Sequence, residues 1–380
     1  MPPVGWTMSA MSESPNPSLN AAIPRFVSAP GSPADRGREF GAAQADLVAN
    51  TLAAYRELFA AVHGLTPDQI MLQGERVADM VSRFWPDLAD EIGGIAAGAS
   101  VDERELFAAN ARTEILSGAG TPECSVIAAL PDRSSTGSLV MAQNWDWHPG
   151  LAPSRVVWTI TEPDGRWLTT LTEAGILAKI GLNSSGLGVL LNILYCSLDA
   201  GVGGLPVHLL LRLLLQRCDD MASAQQLIRD ARMSASSCIT LGWQQGGQAE
   251  LVSAELSPGG PAFVSPTDGV LLHTNHFQPE PPAGQDLYLR DWPDTISRLD
   301  DLRKQVGGAA VISPELIYGA LRSHDGRPNS VCNHGEQAEK FSDQSATLAS
   351  VVLDLGQRTM TLAGGQPCTM PYEAVETPAS

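Results

Sequence analysis

The sequence predicts an α+β protein in which helical layers cover two stacked, mostly antiparallel sheets. Two observations favour this fold class: the first third of the chain carries helical apolar periodicity, and a run of short strand-like segments separated by turn residues follows it. Further blocks of helices and strands complete the chain. Such blocks are typical of layered α+β or αββα domains, whereas a strict strand-helix-strand alternation would favour a parallel sheet.

Helices are predicted from about residue 41 to residue 118. Apolar residues recur at helical spacing between Leu47 and Val62. The stretch 66–69 (Thr-Pro-Asp-Gln) then offers an N-cap, a proline at the first helical position and a capping glutamine. The stretch 100–103 (Ser-Val-Asp-Glu) has the pattern of a second capping box, opening another helix.

Strands are predicted after Glu123, where a loop of small residues gives way to short β-type segments bounded by Pro, Gly, Asp or Asn. Segments that favour a meandering antiparallel sheet are 125–130, 139–144, 156–161, 167–172, 176–182 and 188–194. Later strands are predicted at 237–243, 249–255 and 269–274, and a closing hairpin at 347–355 and 359–363. Later helices are predicted at 205–217, 221–231, 295–305 and 314–322.

One domain is predicted over residues 36–370, preceded by a leader. Residues 1–35 are interpreted as flexible, since the opening residues are rich in Pro, Ser and Ala and lack the basic and apolar regions of a secretion signal. The chain has no run of about eighteen apolar residues that could span a membrane. Its six cysteines are scattered, with no C-x-x-C pair, which favours reduced thiols and a cytoplasmic location.

The net charge of −18 argues against two classes of partner. Such a chain repels nucleic-acid phosphates and anionic lipid headgroups, so we expect neither nucleic acid nor a membrane surface as partner. No cofactor is expected either, because Leu191 stands where the glycine pair at 186 and 188 would need a third glycine for a dinucleotide fingerprint. The stretch 181–184 lacks the G-x-S-x-G spacing of a serine hydrolase.

Cys124 is the candidate nucleophile, since it stands where a loop turns into an apolar strand. A thiol at a strand start can be exposed at the end of a sheet, and it attacks as the thiolate, which a nearby base must help to form. Taken alone, free cysteine is more often a small buried apolar residue, so this position needs support from other motifs.

Several motifs around Cys124 provide that support. In chain order they are residues 110–114, Cys124, 143–147, 172–175, 181–188 and 273–276. Together they resemble the penicillin acyltransferase family, the acyl-CoA:6-aminopenicillanic-acid acyltransferase-like cysteine enzymes of the N-terminal-nucleophile hydrolase superfamily. The resemblance covers residues 36–365 and lies in ordered, spaced motifs.

The resemblance implies a four-layer αββα fold and a precursor that cuts itself between Glu123 and Cys124. The products would be a helical chain 1–123 and a catalytic chain 124–380, which stay together as a heterodimer. Cys124 would be the nucleophile and, through its freed α-amino group, its own base. By the same resemblance Asp146 would orient that amine, and the side-chain amide of Asn275 would bind the oxyanion.

The implied reaction cleaves or forms N-acyl amide bonds through a thioester at Cys124. Water would release an acid from the acyl-enzyme and an amine would give a new amide, so one site serves a hydrolase and an acyltransferase. The expected substrate is a small-molecule N-acyl amide or acyl thioester. Candidate substrate-binding residues are Asn144, Trp145, Trp147, Glu173, Asn183, Asn192 and Asn333.

Two alternatives stay open. Glu123 stands where the family commonly has glycine, and Asn333 where it commonly has arginine, which favours an unprocessed, catalytically silent ligand-binding protein. The second alternative is a metal-binding hydrolase that uses His273, His276 and His334, with Cys332 as a fourth ligand. The two histidines at i and i+3 suit a helix better than the strand predicted there, so the main hypothesis includes no metal.

Overall fold

The strands of this protein form two sheets in a computed structural model that describes residues 19–118, 124–278, 281, 283–335 and 340–378. Within this described part, one sheet has eight strands and the other six, and neighbouring strands run antiparallel except for one pair, β1 and β4, defined below. The predicted α+β class with two mostly antiparallel sheets is therefore confirmed.

Most of the predicted helices and strands are present with bounds close to the predicted ones. Two predicted starts are wrong: the first helix begins at Pro33 and not near residue 41, and the strand predicted at 176–182 begins at Ile180, after a turn. Three short elements, Ala262–Val264, Leu287–Asp291 and Glu373–Val375, were not predicted. Helices described by the structure are α1 (Pro33–Ala43), α2 (Ala45–His63), α3 (Pro67–Phe84), α4 (Pro86–Ala99), α5 (Glu103–Asn110), α6 (Arg112–Ile115), α7 (Val207–Arg217), α8 (Met221–Asp230), α9 (Leu287–Asp291), α10 (Asp294–Val306) and α11 (Pro314–Leu321). The strands are β1 (Arg25–Ser28), β2 (Cys124–Ala129), β3 (Val140–Trp147), β4 (Arg155–Thr161), β5 (Trp167–Glu173), β6 (Ile180–Asn183), β7 (Leu187–Ile193), β8 (Ser237–Gln245), β9 (Gln248–Leu256), β10 (Ala262–Val264), β11 (Val270–His273), β12 (Ala346–Asp354), β13 (Thr359–Ala363) and β14 (Glu373–Val375).

One of the two predicted capping boxes is confirmed. The Thr66 hydroxyl accepts from the N–H of Gln69, and the Gln69 side chain accepts from the N–H of Thr66, so α3 begins as predicted. The prediction at residue 100 is wrong. Ser100 is the left-handed C-cap of α4, with φ of 56°, because α4 continues to Ala99, and Asp102 caps α5 instead.

The prediction of a flexible leader is wrong for part of residues 1–35. Arg25–Ser28 forms β1, which pairs in parallel with β4 and is an edge strand of the eight-stranded sheet. The indole N–H of Trp158 donates to the Ser28 hydroxyl over 2.8 Å, and α1 begins at Pro33. Residues 1–18 lie outside the described part.

Alternating side chains on β2 and β3 place the six-stranded sheet between two apolar layers. Val126, Ala128 and Met141 belong to the large core that lies between this sheet and the eight-stranded one. The intervening Ile127 and Ala142 belong to a second core with residues of α10 and α11. Strand β7 contacts β2 and β3 across the first layer, and α7 packs on β5, β6 and β7. The predicted αββα layering is confirmed.

The topology makes β2 an interior strand of the six-stranded sheet, next to the edge strand β11. Its strand order is β11-β2-β3-β12-β13-β14, so β2 has a hydrogen-bonded neighbour on both sides. Pairing with β3 extends to the first residue of β2, Cys124, whereas pairing with β11 ends at Val126. No helix in the described part of the chain is long and apolar enough to cross a membrane.

The helices α1 and α4 cross at very short range through glycines. A Cβ atom at Gly37, Gly41, Gly94 or Gly98 would lie 2.2–2.3 Å from a main-chain oxygen of the other helix. Contacts of that length exclude any side chain, so the two helices can pack this closely only because these positions are glycine.

We therefore expect Gly94→Ala to destabilise the protein by about 1–3 kcal/mol through overpacking. Gly93→Ala is a matched control in the same helix, because its Cβ would meet only a side-chain oxygen of Glu103 at 3.5 Å. The control should be neutral or stabilising by up to about 1 kcal/mol, since alanine favours helix. Urea unfolding of both variants measures the difference, and equal stabilities would contradict the close crossing.

Candidate active site

Cys124 is the first residue of β2, directly opposite Trp145 of β3. It is 3% exposed, and its thiol is free, as are the other five cysteines. The predicted cleavage partner Glu123 lies outside the described residues. The structure therefore defines the nucleophile side of the expected scissile bond and its surroundings.

Three side chains hold the main chain of Cys124. Its N–H donates to Asn275 Oδ1 over 2.8 Å. Its carbonyl oxygen accepts from Asn192 Nδ2 over 3.2 Å and from Arg298 Nη1 over 3.0 Å. All three side chains are buried, so these hydrogen bonds are shielded from water. The position of the candidate nucleophile is thus fixed independently of the strand pairing.

Asn275 is itself held on every side. Its N–H donates to the hydroxyl of Thr295 over 2.9 Å, and its side-chain amide donates to the carbonyl of Ile193 over 3.0 Å. Both terminal nitrogens of Arg298 lie within 3.3 Å of its Oδ1. Asn275 was predicted to bind the oxyanion, and the structure places it against the candidate nucleophile, where its oxygen accepts from the N–H of Cys124. Its role as oxyanion donor stays a prediction.

The environment of the thiol keeps it protonated. Burial, and then the negative charge of Asp146, raise the pKa of Cys124 to about 11. The main-chain N–H of Asp146, the side chain of Gln143 and the charge of Lys179 act in the opposite direction. Since the net shift is upward, thiolate formation near neutral pH needs a base close to the sulfur. Asp146, predicted from the sequence, does lie at the thiol.

Gln143 also ties the site to the second sheet. Its Nε2 donates to the carbonyl of Leu191 over 2.5 Å, and its Oε1 accepts from the N–H of Leu191 over 3.0 Å. One side chain therefore bridges β3 and β7. The two residues after Leu191 supply further contacts to the site, since Asn192 binds Cys124 and Ile193 binds Asn275.

A buried charged cluster of Glu173, Lys179, Arg112 and Tyr55 lies beside the thiol. Lys179 Nζ is 2.5 Å from one carboxylate oxygen of Glu173, and the Tyr55 hydroxyl donates to the other over 2.7 Å. Arg112 Nε is 3.9 Å from Glu173. Burial lowers the pKa of Lys179 to about 7, whereas Lys179 and Arg112 outweigh burial and keep the pKa of Glu173 below its usual value.

The two tryptophans of β3 support the cations of this cluster. Lys179 Nζ is 3.7 Å from the ring centre of Trp145, and the guanidinium carbon of Arg112 is 4.5 Å from that of Trp147. Trp145, Trp147 and Glu173 were predicted to bind substrate. The structure brings them together near Cys124, and that role stays a prediction.

Other predicted substrate-binding residues are engaged with main-chain groups. Asn144 Nδ2 donates to the carbonyls of Leu321 and Val331, each over 2.8 Å, on the helical side of the sheet. Asn183 Nδ2 donates to two carbonyls at the end of α7. Asn333 donates to Ser345 and accepts from the N–H of Gly335. These contacts give all three a structural role, and substrate binding by them stays a prediction.

The predicted metal-ligand set does not come together. His273 Nε2 is 2.9 Å from a carboxylate oxygen of Glu255, and its Nδ1 is 2.7 Å from the carbonyl of Thr274. His276 Nδ1 contacts the Thr295 hydroxyl. Both histidines are therefore engaged elsewhere. Cys332 and His334 do lie together, but with a different pair of residues, His324 and Cys368.

Sequence reasoning missed Arg298 and Lys179. Arg298 lies in α10 among the buried residues Thr295, Leu299 and Leu302, so an arginine on the apolar stripe of a helix was a usable signal for a buried charge. Lys179 follows the apolar stretch 176–178 and precedes β6, and a lysine between apolar residues is the same kind of signal.

We expect the Lys179–Glu173 pair to show strong coupling in stability. Lys179→Met leaves a carboxylate buried without its nearest cation and should cost about 3–5 kcal/mol, and Glu173→Gln should also destabilise. The double variant should lose less than the sum of the two single changes. Urea unfolding on a Cys124→Ala background keeps the starting chain uniform, and additive effects would contradict a buried ion pair.

The sequence matches a known protein family. A family model described as Acyl-coenzyme A:6-aminopenicillanic acid acyl-transferase matches residues 133–369, more than half of the chain. The Acyl-coenzyme A:6-aminopenicillanic-acid-acyltransferase 40 kDa form of Emericella nidulans is 28% identical over 351 residues, which are 90% of this chain and 92% of the relative.

The chain also has a likeness to two solved structures at low sequence identity. Penicillin V acylase from Agrobacterium tumefaciens has a TM-score of 0.44 and 12% identity, and the match covers 63% of this chain and 82% of the acylase. A single-residue variant of conjugated bile acid hydrolase from Clostridium perfringens has a TM-score of 0.44 and 9% identity, with 67% of this chain and 97% of the hydrolase covered. The family match over more than half of the sequence decides the assignment: this chain belongs to the acyl-coenzyme A:6-aminopenicillanic acid acyl-transferase family.

Proposed function

We propose that this protein is a self-processing cysteine amidohydrolase or acyltransferase that cleaves or forms N-acyl amide bonds through a thioester at Cys124. The observation that carries the proposal is the fixed main-chain nitrogen of Cys124, 2.8 Å from Asn275 Oδ1, at a residue whose thiol lies beside Asp146. A nitrogen that is to become a catalytic amine needs such an acceptor before and after cleavage.

Processing would begin with attack of the Cys124 sulfur on the carbonyl carbon of Glu123. A carbon–sulfur bond forms, the carbon–nitrogen bond breaks, and the thiol proton passes to the departing nitrogen. Water then hydrolyses the thioester, which frees the thiol and leaves a carboxylate on Glu123. The products are chains 1–123 and 124–380, which we expect to remain together through the shared core of helices and sheets.

Turnover would use the new α-amino group as the base. A free α-amine has a pKa of about 8, so an appreciable fraction is neutral near physiological pH and can accept the thiol proton. The contact of the Cys124 nitrogen with Asn275 Oδ1 would hold that amine close to its own sulfur. The carboxylate of Asp146 would orient it. The thiolate then attacks the substrate carbonyl, and the amine returns its proton to the leaving group.

The acceptor of the acyl group decides between the two activities. Water gives a carboxylic acid, and a competing amine gives an amide. The relative from Emericella nidulans is named for transfer from acyl-coenzyme A to 6-aminopenicillanic acid, which supports small acyl thioesters and amines as substrates here. We propose that the side-chain amide of Asn275 binds the oxyanion, after leaving the carbonyl of Ile193.

Replacement of the proposed nucleophile tests the chemistry. Cys124→Ala should abolish hydrolysis of N-acyl amides and acyl thioesters and should leave one uncut chain. Cys218→Ser is the matched control, because Cys218 is also buried and free but lies after α7. The control should keep both processing and turnover. Retained turnover in Cys124→Ala would end the proposal, and ligand binding by an uncut, inactive wild-type chain would favour the silent scaffold.

The pH dependence of kcat/KM tests the base. Activity should fall about tenfold per pH unit below the pKa of the amine, because the protonated amine accepts no proton. Asp146→Asn removes a negative charge that favours the ammonium and the protonated thiol, so the acidic limb should move to lower pH while the maximal rate falls. Asp164→Asn, in an exposed turn, removes the same charge as a control. An unmoved limb in Asp146→Asn would contradict this role.

A further inference from the structure

Four metal-binding side chains converge at a place that the proposed reaction does not use. They are His324, Cys332, His334 and Cys368, and their ligand atoms all lie within 4.8 Å of one another. We infer that these residues form a closed Cys2His2 site for a zinc ion, which has a structural role.

Four distances within this Cys2His2 cluster lie within the edge lengths of a tetrahedral zinc site or about 0.1–0.2 Å below them. The two sulfurs are 3.6 Å apart, and His334 Nε2 is 3.7 Å from Cys332 Sγ and 3.2 Å from Cys368 Sγ. The two Nε2 atoms are 3.1 Å apart. Bonds of about 2.3 Å to sulfur and about 2.0–2.1 Å to nitrogen at tetrahedral angles place the ligands roughly 3.3–3.8 Å from one another.

The chemistry of the four groups selects the ion. Two thiolates with two imidazoles suit zinc, whereas calcium and magnesium take oxygen ligands. Both histidines turn the same nitrogen, Nε2, toward the common centre. Four protein ligands leave no open position for water or substrate, which is typical of a structural site. Cys332 is buried and the other three are half-buried, so an ion can reach the cluster from one side.

The ion would join three separate segments. His324 follows α11, Cys332 and His334 lie in the segment before β12, and Cys368 follows β13. The segments already touch, because Arg322 Nε donates to the carbonyl of Pro367 over 2.8 Å. Coordination of a zinc ion would cross-link the three segments at a point where the regular hydrogen bonds of the sheets end.

Zinc binding would also stabilise the segment that packs against β3, the strand that carries Asp146. The carbonyl of Val331, next to Cys332, accepts from Asn144 of β3. Asn333 lies between two of the ligands, and its N–H donates to the Thr347 hydroxyl, on the residue paired with Asp146. Loss of the ion would therefore loosen a segment that borders the residues around Cys124, without removing any group that reacts.

A disulfide is the competing use of Cys332 and Cys368. Their sulfurs are 3.6 Å apart, and a disulfide requires about 2.05 Å. It would leave the two histidines without a metal. The experiment must therefore distinguish zinc binding from formation of a disulfide between Cys332 and Cys368.

The test uses the full-length chain carrying Cys124→Ala, which removes the thiol of the candidate active site and makes the result independent of processing. Protein purified under reductant should hold about one zinc ion per chain by elemental analysis. After zinc is removed by chelation, Co2+ should give the visible and near-ultraviolet bands of a tetrahedral thiolate site. Added zinc should restore the thermal stability lost on chelation.

Cys368→Ser should lower zinc affinity by more than the roughly 10- to 100-fold that loss of an outer-shell partner causes. Cys218→Ser should leave affinity and stoichiometry unchanged. Reduced protein that binds neither zinc nor Co2+ would overturn the inference, as would equal zinc affinity in the two variants. Protein isolated two mass units lighter, with the two cysteines linked, would replace the metal site by a disulfide.

Discussion

The hydrogen bond between the main-chain nitrogen of Cys124 and Asn275 Oδ1 depends on almost every layer of the fold. Cys124 begins an interior strand, Asn275 follows β11, and Arg298 of α10 holds both residues. Asn192 reaches the same residue from the other sheet. Because both sheets and one helix contribute these contacts to Cys124, the candidate nucleophile is held in place only when the layers are stacked correctly.

Burial and nearby charges determine the protonation state of the Cys124 thiol. Burial and Asp146 raise the pKa of the thiol, which makes an uncut chain a poor nucleophile near neutral pH. The cluster of Lys179, Arg112 and Glu173 supplies compensating charge a short distance away, and Trp145 and Trp147 pack against its cations. Groups of this kind are costly to bury, and here they lie beside the candidate nucleophile. Freeing an α-amine would supply the missing base.

Much of the architecture could be predicted because apolar periodicity and caps act locally. The hairpin of β12 and β13 and the capping box at Thr66 were found in this way. Strand β1 was missed, since a four-residue edge strand is defined by its partner and not by its own pattern. Ser100 has the pattern of an N-cap, but the residues before it extend α4 further than that pattern implies.

Some residues of the candidate site could likewise be predicted from the sequence, and others could not. Cys124, Asp146 and Asn275 were identified through ordered motifs, and the structure brings them together. Arg298 was missed, because the Cys124 carbonyl that it binds is far away in the sequence. Lys179 was missed although its ion-pair partner Glu173 is close in the sequence, because only the fold shows that both side chains are buried beside Cys124. Cys332 and His334 were grouped correctly with each other but with the wrong histidines, since sequence order carries no information on which loops meet.

The intact mass and first residue of each chain in the purified wild-type protein test the central claim most directly. We predict two non-covalently associated chains, the larger beginning with cysteine at position 124, in preparations that turn over N-acyl substrates. Active protein that is a single chain, with residues 123 and 124 still joined by a peptide bond, would contradict the account.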